Sequence, residues 1–138
     1  MDAVLNRLSP LASDPATADR LRSFALKYDS RRDVLFLRPT PPVAATSIDC
    51  DGQLWLRVRI DTGEVAGLEI EDFKAVFLPR HPQLRSAWEG LRGPSNRATS
   101  RDTERPFVDL LVSHVGTLLA ECVREHRREV LATSTTPA

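Results

Sequence analysis

Three acidic residues stand where they could together bind a divalent cation. Asp29 and Asp33 flank the turn of a predicted hairpin, and Glu69 lies in a later predicted strand. Divalent cations such as Ca²⁺ and Mg²⁺ take several oxygen ligands, often from loops, so the three acids could bind one if they converged. The alternative is structural: Asp29 and Asp33 hold a turn, and Glu69 pairs with Arg57. The sequence favours this alternative and predicts no metal or other cofactor.

A second cluster of acids could perform acid/base chemistry. Glu69, Glu71 and Asp72 are nearly adjacent, and Glu69 and Glu71 share one face of a strand. In the predicted register that face also carries Arg57 and Arg59, so a charge-paired, solvated surface is the better interpretation. No nucleophile elbow and no glycine-rich phosphate loop occurs in the chain. We therefore predict no catalytic residue, and favour a protein that is not an enzyme over a metal-dependent enzyme.

Histidine and cysteine occur together in the last predicted helix. Cys122 and His126 are four residues apart, a spacing that can present two ligands to a transition metal, and His114 lies two turns earlier. A complete site would need further ligands. Cys122 also continues the apolar stripe of the helix, so a buried structural thiol is predicted.

Basic residues suggest a nucleic-acid alternative. Arg97, Arg101 and Arg105 lie in a stretch that lacks large apolar side chains, and Trp88 could stack on a base. Phosphate binding requires a net positive face, whereas the formal net charge of the chain is zero. An interaction with nucleic acid, for instance as an antitoxin-like regulator, therefore stays an alternative.

The elements that would position these residues follow from hydrophobic periodicity. Alternation with a period of two predicts a small curved antiparallel sheet of about five strands, and longer periods predict short flanking helices and a long C-terminal helix, which is an α+β fold. The predicted segments are a helical segment over 1–23, the sheet with two short helices over 24–92, a linker over 93–105, an amphipathic helix over 106–132, and a disordered tail over 133–138.

The turn between the last two strands predicts their register. With Gly63 in the left-handed conformation, Leu54 faces Ile70, Leu56 faces Leu68 and Val58 faces Ala66. The apolar faces of both strands then coincide, which places Ile60 on the apolar face as well. Gly67 would leave room beside Trp55 and Arg57, and Asp72 is predicted to cap the next helix.

The middle of the chain resembles a small bacterial domain family of unknown function. The signature is Tyr-Asp, three residues, Asp and a short apolar strand, followed later by a turn and a Val-x-Gly-Ile-Glu-Ile strand. The matching residues in about 26–73 are Tyr28, Asp29, Asp33, Leu35, Gly63, Val65, Gly67, Glu69 and Ile70. The resemblance implies a small antiparallel sheet in a short stand-alone protein, and it supplies no catalytic residue or ligand.

The leading functional expectation is a non-enzymatic interaction module. A chain of 138 residues with two distant cysteines, no signal peptide and no apolar run of membrane-spanning length is typical of one cytoplasmic domain. The C-terminal helix is longer than a small sheet can cover, so we expect it to form a homodimer or to bind a protein partner. The expected interaction residues are Val108, Leu111, Val115, Leu118, Leu119 and Cys122.

Overall fold

The structure confirms the predicted α+β fold. This computed structural model describes residues 9–50, 52–91 and 101–134, without the side chains of 101–103, 126 and 129–134. Residues 9–13 are helical. The remaining elements, in chain order, are α1 (Pro15–Ser23), β1 (Ala25–Asp29), β2 (Val34–Arg38), β3 (Ala45–Asp49), β4 (Leu54–Arg59), β5 (Val65–Ile70), a π-helical turn (Phe73–Phe77) continuing into α2 (Leu78–Arg80), α3 (Pro82–Leu91) and α4 (Arg101–Ser134).

The five strands form one antiparallel sheet in the order β1-β2-β5-β4-β3. Strands β1 and β2 form a hairpin, and β3, β4 and β5 form a meander that returns to pair with β2. Alternate side chains point to opposite faces, so the register assigns each residue to a layer. One face carries Leu35, Leu37, Leu54, Leu56, Leu68 and Ile70, all essentially inaccessible to solvent. The described helices pack on this face and complete the hydrophobic core.

Helix α4 crosses this face from the β1–β2 side to the β3 side. The Phe107 ring packs against Phe73 and Trp88 near its start. Fifteen residues later, the Cys122 thiol donates to the carbonyl of Cys50, the residue after β3. Fifteen residues of α-helix are about 22 Å long, and five strands span about 19 Å. The helix therefore covers the full width of the sheet between these two contacts.

The part of α4 beyond Cys122 extends past the sheet. Val123 is the last α4 residue with a described, buried side chain, and the helix continues for eleven residues to Ser134, about 16 Å. A window at Glu104–Glu125 is long and apolar enough by composition to cross a membrane, which differs from the sequence expectation. Its apolar side chains, including Leu111 and Val115, are buried in the core of this chain, as is typical of a core helix.

Two helix predictions need correction. Helix α4 begins at Arg101, five residues before the predicted start, and Pro106 lies inside it. Proline is favoured in the first turn of a helix, but further in it removes one backbone hydrogen bond without always ending the helix. The predicted cap at Asp72 is wrong: Asp72 has a left-handed conformation (φ 50°) and its side chain makes no capping bond.

The β4–β5 register is confirmed at one end and wrong at the other. Leu54 faces Ile70 and Leu56 faces Leu68 as predicted, and Gly63 has a positive φ of 74°. A β-bulge after Arg57 then pairs Val58 with Val65 instead of Ala66. The extra residue in β5 shifts the pairing, and Ile60 lies in the exposed turn rather than on the apolar face.

Candidate functional site

Asp33 joins the β1–β2 hairpin to the helical turn that follows β5. Its carboxylate accepts hydrogen bonds from the Tyr28 hydroxyl (2.7 Å) and from the amides of Lys74 (2.8 Å) and Ala75 (3.0 Å). Its carbonyl accepts from the Phe73 amide at 3.0 Å. Asp33 therefore caps this helical turn although it lies 41 residues earlier in the chain. The sequence assigned this role to Asp72.

The charge of Asp33 is stabilised by this geometry. Burial of the carboxyl opposes its ionisation, but the three hydrogen bonds outweigh that effect, so the pKa of Asp33 lies below its ordinary value. Asp29 is the last residue of β1, next to the turn of the same hairpin. It accepts from the Arg32 side chain at 2.9 Å and from the Arg31 amide at 3.0 Å, and the Arg32 contact lowers the pKa of Asp29.

Glu69 lies on the opposite face of the sheet, where it forms an ion pair with Arg57. The Arg57 Nη1 atom is 3.0 Å from Glu69 Oε1, and both side chains are about two-thirds to three-quarters buried. Gly67 is required beside this pair, because a Cβ there would come within 2.8 Å of the Leu37 carbonyl oxygen and φ is 151°. Arg57 also lies 3.5 Å from the Ala45 carbonyl, which ties β4 to β3.

The three candidate acids do not converge. The carboxylate of Asp33 binds helix amides, that of Asp29 binds its own turn, and that of Glu69 faces Arg57 on the other side of the sheet. Among the described side chains, no three His, Cys, Asp or Glu residues are close enough to hold a metal ion. The hydrogen bonds that these acids make are those of turn, cap and ion-pair residues.

A histidine pair links α4 to the start of α3. His114 Nε2 and His81 Nδ1 are 2.6 Å apart, and the ring centroids are 4.3 Å apart. Such a contact requires one ring nitrogen to carry a proton and the other to accept it. Helical spacing groups His114 only with Cys122 and His126, which lie on its own helix. The 33-residue separation from His81 leaves no local signal that could have identified this pair.

The cysteines lie where α4 reaches the edge of the sheet. Cys122 and Cys50 are both buried and neither forms a disulfide, and the Cys122 thiol lies 2.8 Å from the Cys50 carbonyl. Cys122 is thus a buried thiol. The side chain of His126 lies outside the described part of the chain.

The expected interaction stripe of α4 faces the core of its own chain. Five of its residues are at most 7% exposed and belong to the core cluster, namely Val108, Leu111, Val115, Leu119 and Cys122. Leu118 is partly buried and packs against the same cluster. In the monomer these side chains are therefore covered by the sheet and the other helices. Of the three candidate arginines, Arg105 is exposed, whereas Arg97 and the side chain of Arg101 lie outside the described residues.

Strand β3 is the edge strand on the side of the sheet where α4 contacts Cys50. The Cys50 amide donates to the Leu54 carbonyl, so Cys50 and Leu54 are a hydrogen-bonded pair. Because such pairs alternate in an antiparallel ladder, the backbone groups of Ser47 and Asp49 point away from β4. Within the described chain no strand lies beyond β3. The outer N–H and C=O groups of Ser47 and Asp49 are therefore directed away from the sheet.

Comparisons of this chain with protein-family models, curated proteins and solved structures find no match. The resemblance carried by Tyr28, Asp29, Asp33 and the β5 residues stays a prediction.

Proposed function

We propose that this protein is a non-enzymatic interaction module that self-associates on the side of the sheet where β3 is the edge strand. The observation that carries this proposal is the position of α4. The helix meets the end of β3 at Cys122 and then runs about 16 Å further, beyond the last strand. An edge strand and a projecting helix on one side of a molecule are the two parts that a symmetric dimer would join.

Strand β3 is the better of the two edges for pairing with a second copy. Antiparallel pairing about a two-fold axis at Ser47 places Ser47 opposite Ser47 and Asp49 opposite Ala45. No like charges meet, and the Asp49 carboxylate already accepts from the Gly52 amide at 2.6 Å. The same operation on β1 would place Lys27 opposite Lys27 at the centre. An edge lysine of this kind opposes strand pairing.

The projecting part of α4 fits the same symmetry. An axis perpendicular to a continuous sheet keeps the helices of both copies on one face, where each projecting α4 segment would extend over the partner copy and run antiparallel to the partner's α4. Residues 121–129 carry three glutamates and three arginines, so these charges balance. The five whose side chains the structure describes, Glu121, Arg124, Glu125, Arg127 and Arg128, are exposed. A segment that carries both signs of charge can approach a second copy without net repulsion.

The expected dimer is weak. One strand pair and one helix contact would form an interface at the lower end of the sizes of stable complexes, which bury about 1,200–2,000 Å². We therefore expect dissociation in the micromolar range, with monomer and dimer exchanging during chromatography.

Ser47 offers a test that leaves the monomer ladder intact. Ser47→Pro removes an amide that points away from β4, a position where edge strands tolerate proline, whereas Ser47→Ala keeps that amide. Light scattering after size exclusion, over a range of concentrations, should show dimer for the wild type and Ser47→Ala and monomer for Ser47→Pro. Circular dichroism and thermal melting would establish that the proline variant is folded. A monomeric wild type at all concentrations, or a dimer that persists in folded Ser47→Pro, would refute the proposal.

A further inference from the structure

The two cysteines of the chain meet where α4 reaches the end of β3. Cys50 and Cys122 are 72 residues apart in the sequence, yet the Cys122 thiol donates to the Cys50 carbonyl at 2.8 Å. Neither residue forms a disulfide, so both side chains are thiols. The fold therefore brings together two groups that an oxidant could join.

Both thiols point into the layer between the sheet and α4. The Ile48 side chain is buried on the helix-covered face and Asp49 is exposed, so the alternation of β3 directs Cys50 toward the helices. Cys122 belongs to the stripe of α4 that faces the sheet, and both cysteines are part of the core cluster. They lie at the edge of the sheet, where local opening generally costs less free energy than at its centre.

The separation of the two residues is compatible with a disulfide, in which the Cα atoms are usually about 4.4–6.8 Å apart. A carbonyl oxygen lies about 2.4 Å from its own Cα, so the Cys122 sulfur is within about 5.2 Å of the Cys50 Cα. The Cys122 Cα is about 2.8 Å from its sulfur, which puts the two Cα atoms at most about 8 Å apart. That limit requires a straight line through the sulfur, and the bond angle there brings the Cα atoms closer.

We propose that Cys50 and Cys122 form an intrachain disulfide when a peroxide oxidises the protein. One sulfur attacks a peroxide oxygen: an S–O bond forms, the O–O bond breaks, and the thiol proton leaves with the departing oxygen as water. The second sulfur then attacks this sulfenic acid: the S–S bond forms, the S–O bond breaks, and a second water leaves with the second thiol proton. The two thiols together lose two electrons, which reduce the peroxide.

The disulfide replaces a hydrogen bond by a covalent link between the end of β3 and α4. It holds the helix on the last strand, immediately before the helix projects beyond the sheet. Both cysteines belong to one chain, so this inference does not rest on self-association. The two proposals can therefore fail separately.

Mass spectrometry of the full-length protein tests whether the link forms. After treatment with hydrogen peroxide in the millimolar range, the remaining thiols are blocked with N-ethylmaleimide in urea. A reduced chain takes two maleimides, whereas a chain with the disulfide takes none and has lost two hydrogens. The treated native protein should take none, and a protease digest should contain a peptide pair that joins Cys50 to Cys122.

Equilibration with mixtures of reduced and oxidised glutathione tests whether the fold favours the disulfide. The relevant ratio is that of oxidised glutathione to the square of reduced glutathione. Native protein should be half oxidised at a ratio at least roughly tenfold lower than the same chain in urea, because the fold holds the two thiols together. By the same linkage, the oxidised wild type should unfold at a higher urea concentration than the reduced wild type. The variant with both Cys50→Ala and Cys122→Ala should unfold at the same concentration in both buffers.

Four results would overturn the proposal. The native protein could still take two maleimides after peroxide treatment, or the disulfide could join two chains. Each cysteine could carry a glutathione instead of its partner. The native and unfolded chains could also be half oxidised at the same ratio, which would show that the fold does not hold the thiols in position to react. The glutathione measurement uses only the wild type, so it does not depend on the folding of the variant.

Discussion

The two ends of α4 differ in what surrounds them. At its start, the Phe107 ring lies 5.3 Å from that of Trp88, within an aromatic cluster that also includes Phe73. At its far end the Cys122 thiol contacts the end of β3, and the helix then runs beyond the sheet, where the Arg127 guanidinium donates to the Ser9 hydroxyl at 3.0 Å. One continuous helix thus serves as core over the width of the sheet and as a projection beyond it. The difference shows why the length of a helix alone does not identify an interface.

The side of the sheet near the start of α4 is also joined to other elements by more side-chain hydrogen bonds than the β3 side. There Asp33 binds two helix amides and the Tyr28 hydroxyl, and so joins the first hairpin to the segment after β5. At the β3 end, the comparable residue Asp49 accepts a hydrogen bond within its own turn, from Gly52, and among the described residues no bond joins its carboxylate to another element. We therefore expect substitutions at the start of α4 to reduce the stability of the monomer most strongly.

The largest expected effect is the loss of an aromatic side chain at the start of α4. Phe107→Ala should lower the free energy of unfolding by about 3–5 kcal/mol, because it opens a cavity in the core. Val123→Ala, at the far end, removes a smaller side chain that is 7% exposed, and should cost about 1–2 kcal/mol. Urea denaturation followed by circular dichroism measures both. Equal losses would contradict the difference between the two ends.

The next effect concerns the two aspartates. Asp33→Ala leaves two helix amides and a tyrosine hydroxyl without their acceptor, and should cost about 2–3 kcal/mol. Asp49→Ala removes one turn hydrogen bond and should cost less than about 1 kcal/mol. The same denaturation measurement compares them. A loss at Asp49 as large as that at Asp33 would show that the two edges of the sheet are tied down equally well.

The contribution of Asp33 should depend on pH in one direction. A carboxyl whose pKa is lowered by folding stabilises the protein fully above its unfolded pKa, and loses that contribution as the pH falls through its folded pKa. The ordinary value is 3.8. The stability difference between wild type and Asp33→Asn should therefore be constant above about pH 5 and decrease below about pH 4. Urea denaturation at a series of pH values from above about 5 to below about 4 tests this. A stability difference between wild type and Asp33→Asn that grows on acidification would contradict the prediction.

The smallest expected effect concerns the ion pair of Glu69 with Arg57, on the face of the sheet opposite the helices. Glu69→Gln removes the charge from a partly exposed pair with Arg57, and should cost about 0.2–1 kcal/mol. Added salt should reduce the difference between wild type and variant further, since partly exposed pairs are screened. A loss comparable to that of Asp33→Ala, with no dependence on salt, would mean that Glu69 has a structural role beyond this pair.

The pairing of β4 with β5 was partly predictable because both strands and the turn that joins them are adjacent in the sequence. The alternation of apolar residues in β4 and β5, together with the turn at Gly63, predicted that Leu54 faces Ile70. The bulge after Arg57 escaped prediction because Val65 and Ala66 both suit a buried position, so the pattern does not reveal which one pairs with Val58. The apolar stripe of α4 was identified correctly, but its partner is the chain's own sheet.

The candidate sites depend on contacts that span long stretches of sequence. Asp33 caps amides 41 residues away, and His81 lies 33 residues from His114. In each case a side chain finds its partner only after the strands and helices have packed, so neither residue carries a local signature. Asp72 was chosen as the cap because it precedes the helix, which is the usual local rule.

Hydrogen exchange at the edge of β3 tests the proposed self-association most directly. The Ser47 amide points away from β4, whereas the Ile48 amide belongs to the β3–β4 ladder. If two copies pair along β3, protection of the Ser47 amide should increase with protein concentration through the micromolar range, while that of Ile48 stays constant. A Ser47 amide that exchanges equally fast at all concentrations, in a protein whose Ile48 amide is protected, would contradict pairing at this edge.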